Sequence, residues 1–178
     1  MRFKDIPQFT KASPYSVNVS WGFLIQTLED YSVSGLELDP EFQRGHVWNT
    51  EQQRLYVEYV LRGGISSQDI YFNCMKGQVG NGLIQLVDGK QRLNAVTKFL
   101  NNELRVLPWL GDNKQGFLYS DFEDRMCIIR PTFRFHINDL PTYAEVLQWY
   151  LDLNEGGTPH TSEELAKVHA LLEKERGN

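Results

Sequence analysis

The chain has 178 residues, of which 41% are hydrophobic and 23% charged, an ordinary globular composition that excludes a fibrous or wholly disordered chain. Eighteen Lys and Arg against 23 Asp and Glu leave a formal charge of -5, which excludes a surface that holds nucleic acid by general positive charge and leaves room for a local basic pocket. The start, Met1-Arg2-Phe3-Lys4-Asp5, lacks the apolar run of a secretory signal, and no later stretch approaches the roughly 20 apolar residues of a membrane span, so a cytosolic location with no membrane partner is expected.

In chain order, Ser20 precedes Trp21, Phe23, Leu24 and Leu28, whose spacing predicts an amphipathic helix ending near Ser34-Gly35. A short apolar strand, Leu36 to Leu38, runs into Asp39-Pro40, and the proline favours an extended approach to Phe42-Gln43-Arg44. Thr50 with Gln53 resembles a capping box, and Leu55, Tyr56, Tyr59 and Val60 predict the apolar face of a helix over residues 50–62, closed by Gly63-Gly64. Two segments rich in strand formers, Asp69 to Met75 and Leu83 to Val87, flank the Gly-rich stretch 77–82 and predict a hairpin. Its second strand delivers the chain to Asp88.

From Gln91, the apolar positions Leu93, Val96, Phe99 and Leu100 predict a third helix that fades at Asn101-Asn102. Residues 106–125 read as irregular with at most one short strand, and Phe133, Phe135 and Ile137 alternate with Arg134 and His136 as a half-buried strand does. Helices follow over Pro141 to Leu153 and Ser162 to Lys174, the latter starting from Thr161. No repeat or linker interrupts the chain, so one domain over residues 1–178 is expected, α+β in class.

Three segments carry candidate chemistry. Asp88-Gly89-Lys90-Gln91-Arg92 puts a glycine and two cations where a strand turns into a helix, and helix-start N–H groups attract anions. Gly89 would let a phosphate approach the backbone, Lys90 supplies a point charge and Arg92 a planar fork. The plain structural alternative makes Asp88 an N-cap and Gln91 its capping-box partner, with both cations solvated. Residues 95 and 96 are Ala and Val, so Arg92 finds no carboxylate there and its charge is expected to be available to an anion.

The second segment, Pro40 to Trp48, holds Gln43, Arg44 and His46 beside Phe42 and Trp48, which suit base stacking and phosphate binding or, equally, core anchoring and a local ion pair. The third, Asn154-Glu155-Gly156-Gly157-Thr158-Pro159, has paired glycines that either turn backbone N–H groups toward a ligand or simply end a helix. The three are expected to converge on one concave surface. Cys74 and Cys127 lack a CxxC or a His at ligand spacing, so no zinc site or disulfide framework is indicated and both are expected to be inert. The four histidines give no nucleophilic triad from sequence.

Taken in order, FQRGHVW, VDGKQRLNAV and LNEGGTPHTSEEL, spanning residues 42–165, resemble the N-terminal domain family of GmrSD-type modification-dependent restriction enzymes, over about residues 18–172. The resemblance implies a ParB/sulfiredoxin-like fold, a small mixed sheet flanked by helices, and a nucleotide-binding or nucleotide-hydrolysing module of antiphage defence. The family's DGQQR box falls on Asp88, Gly89, Lys90, Gln91 and Arg92, its QR box on Gln43 and Arg44, and its glycine loop on Asn154, Gly156, Gly157 and Thr158. Lys90 stands where Gln is usual, His46 where an aromatic is common and His160 where an apolar residue is common.

The expected function is therefore nucleotide binding, with NTP hydrolysis by an arrangement in which Asp88 orients a water or an Mg²⁺ ion carried by the triphosphate. With the sequence ending at Asn178, the HNH nuclease domain common in the family is not expected in this chain. The alternative is a non-catalytic phage or mobile-element module that uses the same pocket to bind DNA or a protein partner.

Overall fold

The computed structural model describes residues 15–43, 48–75, 84–155 and 162–177. Among the described residues, five strands form one mixed sheet: β1 Tyr15–Ser20, β2 Leu36–Glu37, β3 Asp69–Cys74, β4 Ile84–Asp88 and β5 Thr132–Asn138. The order across the sheet is β1-β5-β3-β4-β2. β1 runs antiparallel to β5 and β3 antiparallel to β4, whereas β5 is parallel to β3 and β2 to β4. The α-helices of the described residues cover it: α1 Trp21–Val33, α2 Thr50–Leu61, α3 Lys90–Leu100, α4 Tyr143–Glu155 and α5 Ser162–Arg176. This is the α+β class expected from the sequence, with a small mixed sheet between helices.

Alternation along the strands divides the apolar side chains between two cores. Ile70, Phe72 and Leu86, with Phe133 and Phe135, face α1, α2 and α3 through Trp21, Leu24, Val57, Val96 and Phe99. Val87 and the half-buried Tyr71 face the other way, onto Val146, Leu147 and Tyr150 of α4 and Val168 and Leu172 of α5. Phe42 joins this second core at 2% exposure, so it is a core anchor. Asn73 holds the two layers in register from a fully buried position: its Oδ1 accepts from the Leu140 N–H at 2.9 Å and its Nδ2 donates to the Leu140 carbonyl.

Several local expectations shift. β1 is an added strand: Val17 and Val19 alternate with Ser16 and Asn18, too weak a pattern until β5 supplies the partner edge. The capping box of α2 sits one residue earlier than Thr50 and Gln53, on Asn49 and Gln52. Gln53 is instead buried and donates to the Trp48 carbonyl at 3.0 Å. On α2 the inward residues are Gln53, Tyr56, Val57, Glu58 and Val60, while Leu55 and Tyr59 are exposed, as is Phe23 on α1. The expected 77–82 turn and the Thr161 cap lie outside the described residues. Residues 106–125 contain a single bridge, Val106 to Phe117, and a short 3₁₀ turn, Tyr119–Asp121.

Buried in this irregular region is a carboxylate network. Glu58 Oε1 accepts from the Leu107 N–H and from the Arg54 guanidinium, each at 2.7 Å, and its Oε2 accepts from the Trp109 indole N–H at 3.2 Å. Both oxygens are occupied, which is what a carboxylate 4% exposed requires. No helix among the described residues is long and apolar enough to cross a membrane.

Candidate functional site

β4 ends at Asp88, and the chain enters α3 through Gly89, whose φ of 102° is in the left-handed region. A Cβ here would meet Ile70 Cδ1 at 2.5 Å and the Ile70 Cα at 3.3 Å, so the turn presses against the start of β3 and only glycine fits without displacement. Gly89 is the N-cap and offers no side-chain oxygen to the first turn, which contains no acidic residue. The capping reading of this turn is thereby corrected. Asp88 lies before the N-cap, and Gln91 is no capping-box partner: its Oε1 accepts the Trp48 N–H at 3.2 Å.

The cations of this turn are paired, contrary to the expectation for Arg92. Its guanidinium holds the Asp88 carboxylate four residues earlier, and Lys90 holds Asp39, two residues past the end of β2. The partner of Arg92 is not a residue C-terminal to it along the helix but the last residue of the preceding strand. Asp39 is 75% exposed, so the Lys90 pair is a surface pair, weakly held in water.

Around this turn lies a cavity of about 460 Å³, lined by Gln43, Asp88, Gly89, Lys90, Gln91, Arg92 and Asn154 among others. Portions of all three sequence segments, 43, 88–92 and 154, thus share one concave wall. Gln43 also braces β4, its Nε2 donating to the Leu86 and Val87 carbonyls at 3.0 and 2.6 Å, on the side where the two-residue β2 has ended. Asn154 Nδ2 donates to the Tyr150 carbonyl at 2.7 Å in the last turn of α4. Arg44, His46, Gly156, Gly157, Thr158 and His160 lie outside the described residues.

The remaining wall comes from Trp48 and Leu153, which stand in the second and third segments, and from Tyr56, Ser67, Asp69, Tyr71 and Tyr150, which carry no local sequence signal for a site. Trp48 and Tyr56 lie tilted against each other, ring centres 5.4 Å apart, and Tyr56 donates its hydroxyl to the Ser67 carbonyl at 2.8 Å. Ser67 has φ 58°, a left-handed backbone in a residue that rarely adopts it. Burial pushes the Tyr56 hydroxyl well above the ordinary tyrosine range. Burial also raises the Tyr71 hydroxyl, aided by the Asp69 and Asp88 carboxylates and opposed by Arg92 and Arg134. Both phenols are therefore neutral at neutral pH.

Asp69 is the first residue of β3, and His136 reaches it from β5. His136 Nε2 lies 2.7 Å from Asp69 Oδ1, and His136 Nδ1 lies 2.8 Å from Ser16 Oγ. The imidazole also stacks on Tyr71, centroids 4.7 Å apart and planes 15° from parallel. Parallel pairing of β3 and β5 sets Tyr71 opposite His136, and antiparallel pairing sets Ser16 opposite His136 from the other side. The member of this row that lines the cavity is the carboxylate, not the hydroxyl, so Ser16 and His136 work as a support for Asp69. Among the described residues no group of three or more His, Cys, Asp or Glu is placed to hold a metal ion by protein side chains alone.

The profile described as GmrSD restriction endonuclease, N-terminal domain, matches residues 25–134, more than half of the chain. The chain belongs to the GmrSD N-terminal domain family. The matched span contains Gln43, Asp69 and the Asp88–Arg92 turn, while Asn154 lies beyond it. Among solved structures, this GmrSD N-terminal-type chain is similar to the C-terminally truncated chromosome-partitioning protein ParB of Caulobacter crescentus complexed with CTP-γ-S. The identity is 13% and the TM-score 0.42, over 92% of this chain and 66% of that one. The search of curated proteins found no match.

Proposed function

We propose that this GmrSD N-terminal-type domain binds a nucleoside triphosphate in the cavity at the start of α3. The observation that carries the reading is the meeting of Gly89, Lys90 and Arg92 on one cavity wall with an aromatic-lined remainder, since a phosphate chain needs the first and a base the second. Gly89 brings backbone close to the ligand, Lys90 and Arg92 contribute charge, and Trp48, Tyr56, Tyr71 and Tyr150 provide faces and neutral hydroxyls. The share of the nucleotide reading that falls on Arg44, Gly156, Gly157 and Thr158 follows from the family resemblance.

The charge balance bears on the ligand's form. Asp69 and Asp88 offset Lys90 and Arg92 along the lining, and Asp39 stands against Lys90 from outside. A bare triphosphate meets little net attraction there, so the domain takes it with Mg²⁺, for which Asp88 and the phosphates are suitable oxygen donors. The ion, when bound, neutralises charge on the phosphates. Arg92 would then exchange its Asp88 partner for phosphate oxygens, leaving the Asp88 carboxylate to orient the ion or an attacking water, which makes NTP hydrolysis the accompanying activity.

Thermal-shift measurements with ATP, GTP, CTP and UTP, with and without Mg²⁺, test the binding. A ligand at 100 times its dissociation constant is expected to add roughly 2.7 kcal/mol of stability. A phosphate-release assay on the same samples tests turnover. Binding without release would leave a nucleotide-responsive interaction module acting on DNA or a protein partner, and the absence of any shift with all four nucleotides would remove the nucleotide reading.

A further inference from the structure

We propose that Asp69 selects ribonucleotides, accepting a hydrogen bond from a ribose hydroxyl, chiefly the 2′-OH; the inference rests on the nucleotide reading of the cavity. Three features carry it, and none belongs to the sequence motifs. The first is position. Asp69 is adjacent to Ile70, which packs against the phosphate turn so closely that a Cβ on Gly89 would lie 2.5 Å from Ile70 Cδ1 and 3.3 Å from Ile70 Cα. The part of a nucleotide within reach of a residue at that remove from its phosphates is the sugar bonded to them. The larger aromatic wall, Trp48 with Tyr56 and Tyr150, remains for the base.

The second feature is how the carboxylate is held. Both of its contacts fall on one oxygen: His136 Nε2 at 2.7 Å and the Arg134 guanidinium at 3.7 Å, each to Oδ1. The imidazole is itself fixed on three sides, by Asp69, by Ser16 and by the face of Tyr71. The support therefore orients the carboxylate plane and leaves Oδ2, which makes no hydrogen bond among the described residues, on a side chain that is 38% exposed and lines the cavity. This is the arrangement by which a distal group fixes a ligand-binding group in one orientation.

The third is chemistry. An ionised carboxylate accepts and cannot donate, so it repels phosphate oxygens and takes hydroxyl or amine hydrogens. Acidic side chains hold the ribose 2′-OH in dinucleotide sites for the same reason. Removing that hydroxyl from the ligand strands an oriented, partly desolvated carboxylate oxygen, which is where discrimination is largest.

Calorimetric titration of the full chain with Mg²⁺ and each of ATP, GTP, CTP and UTP, beside the matching 2′-deoxynucleotides, tests this. Ribonucleotides are expected to bind about tenfold or more tighter than their deoxy counterparts. Asp69→Ala is expected to bring that ratio close to one while deoxynucleotide affinity holds or improves, since the variant also removes a negative charge. Asp69→Asn, which keeps an acceptor oxygen and guards against loss of folding, is expected to retain part of the preference. His136→Gln is expected to lower the ratio without abolishing binding, which marks His136 as a positioning residue. Nucleotide binding with equal ribo and deoxy affinities, or a preference that survives Asp69→Ala, would overturn the proposal alone; no nucleotide binding at all would overturn it together with the reading beneath it.

Discussion

Glu58 and Asp69 are both acidic, both approached by an arginine and both tied to residues distant in sequence, yet their oxygens are used differently. Glu58, 4% exposed, has Oε1 and Oε2 engaged by Leu107, Arg54 and Trp109, and so closes the irregular 104–110 segment over α2. Asp69 has Oδ1 engaged, no hydrogen bond to Oδ2 among the described residues, and a side chain that lines a cavity. A carboxylate with both oxygens satisfied inside the protein holds the protein together. One held on a single oxygen at a cavity wall, 38% exposed, keeps an acceptor that a ligand hydroxyl can take in place of water.

Substitutions at these two sites should separate in urea denaturation. Glu58→Ala is expected to destabilise the domain by about 2 kcal/mol, since it leaves the buried Leu107 N–H without its acceptor and takes one from the Trp109 indole, while Arg54 keeps Glu51. Asp69→Ala is expected to cost less than about 1 kcal/mol, because its partners are partly hydrated. Equal losses at the two positions would erase the distinction between them.

Gly89→Ala sharpens the same contrast from the turn. The added methyl must displace Ile70 and hold φ near 102°, for an expected loss of about 2 kcal/mol together with weakened ligand binding. Gln43→Ala, which frees the Leu86 and Val87 carbonyls, is expected to cost about 1 kcal/mol. Smallest in stability is Arg92→Ala, expected within about 1 kcal/mol because the Asp88 pair is partly solvated. Its effect belongs to the ligand: at least about tenfold weaker nucleotide binding, with Arg92→Lys intermediate for want of the planar fork. An Arg92→Ala variant that unfolds while binding of the Lys variant is unimpaired would move Arg92 to the side of Glu58.

The helices were legible because their apolar residues recur at helical spacing, as Leu93, Val96 and Phe99 do in α3. The faces of α1 and α2 were less so: Phe23 and Leu55 are apolar yet exposed, while Gln53 and Glu58 are polar yet buried. The DGKQR turn could be read as an anion site because strand, glycine and cations are contiguous, but its ion pairs could not, since Lys90 finds Asp39 across 51 residues. Asp69 was invisible. An aspartate opening a strand has no local meaning, and it becomes part of a wall only when parallel pairing brings His136 to it from 67 residues away. A helical or strand periodicity encodes which face is buried; it does not encode which strand lies alongside.

The division of the apolar residues into two cores on opposite faces of one sheet has a thermodynamic consequence. The cavity wall includes Tyr56 and Gln91 from the layer of α2 and α3, and Tyr150, Leu153 and Asn154 from α4. Native-state hydrogen exchange registers separately any local unfolding confined to one layer. A ligand that touches both must be released before either opens, so it couples two otherwise separate cooperative units. Amides of α4 and α5 and those of α2 are then expected to gain protection together on nucleotide addition, by equal free energies wherever exchange in each layer requires ligand release.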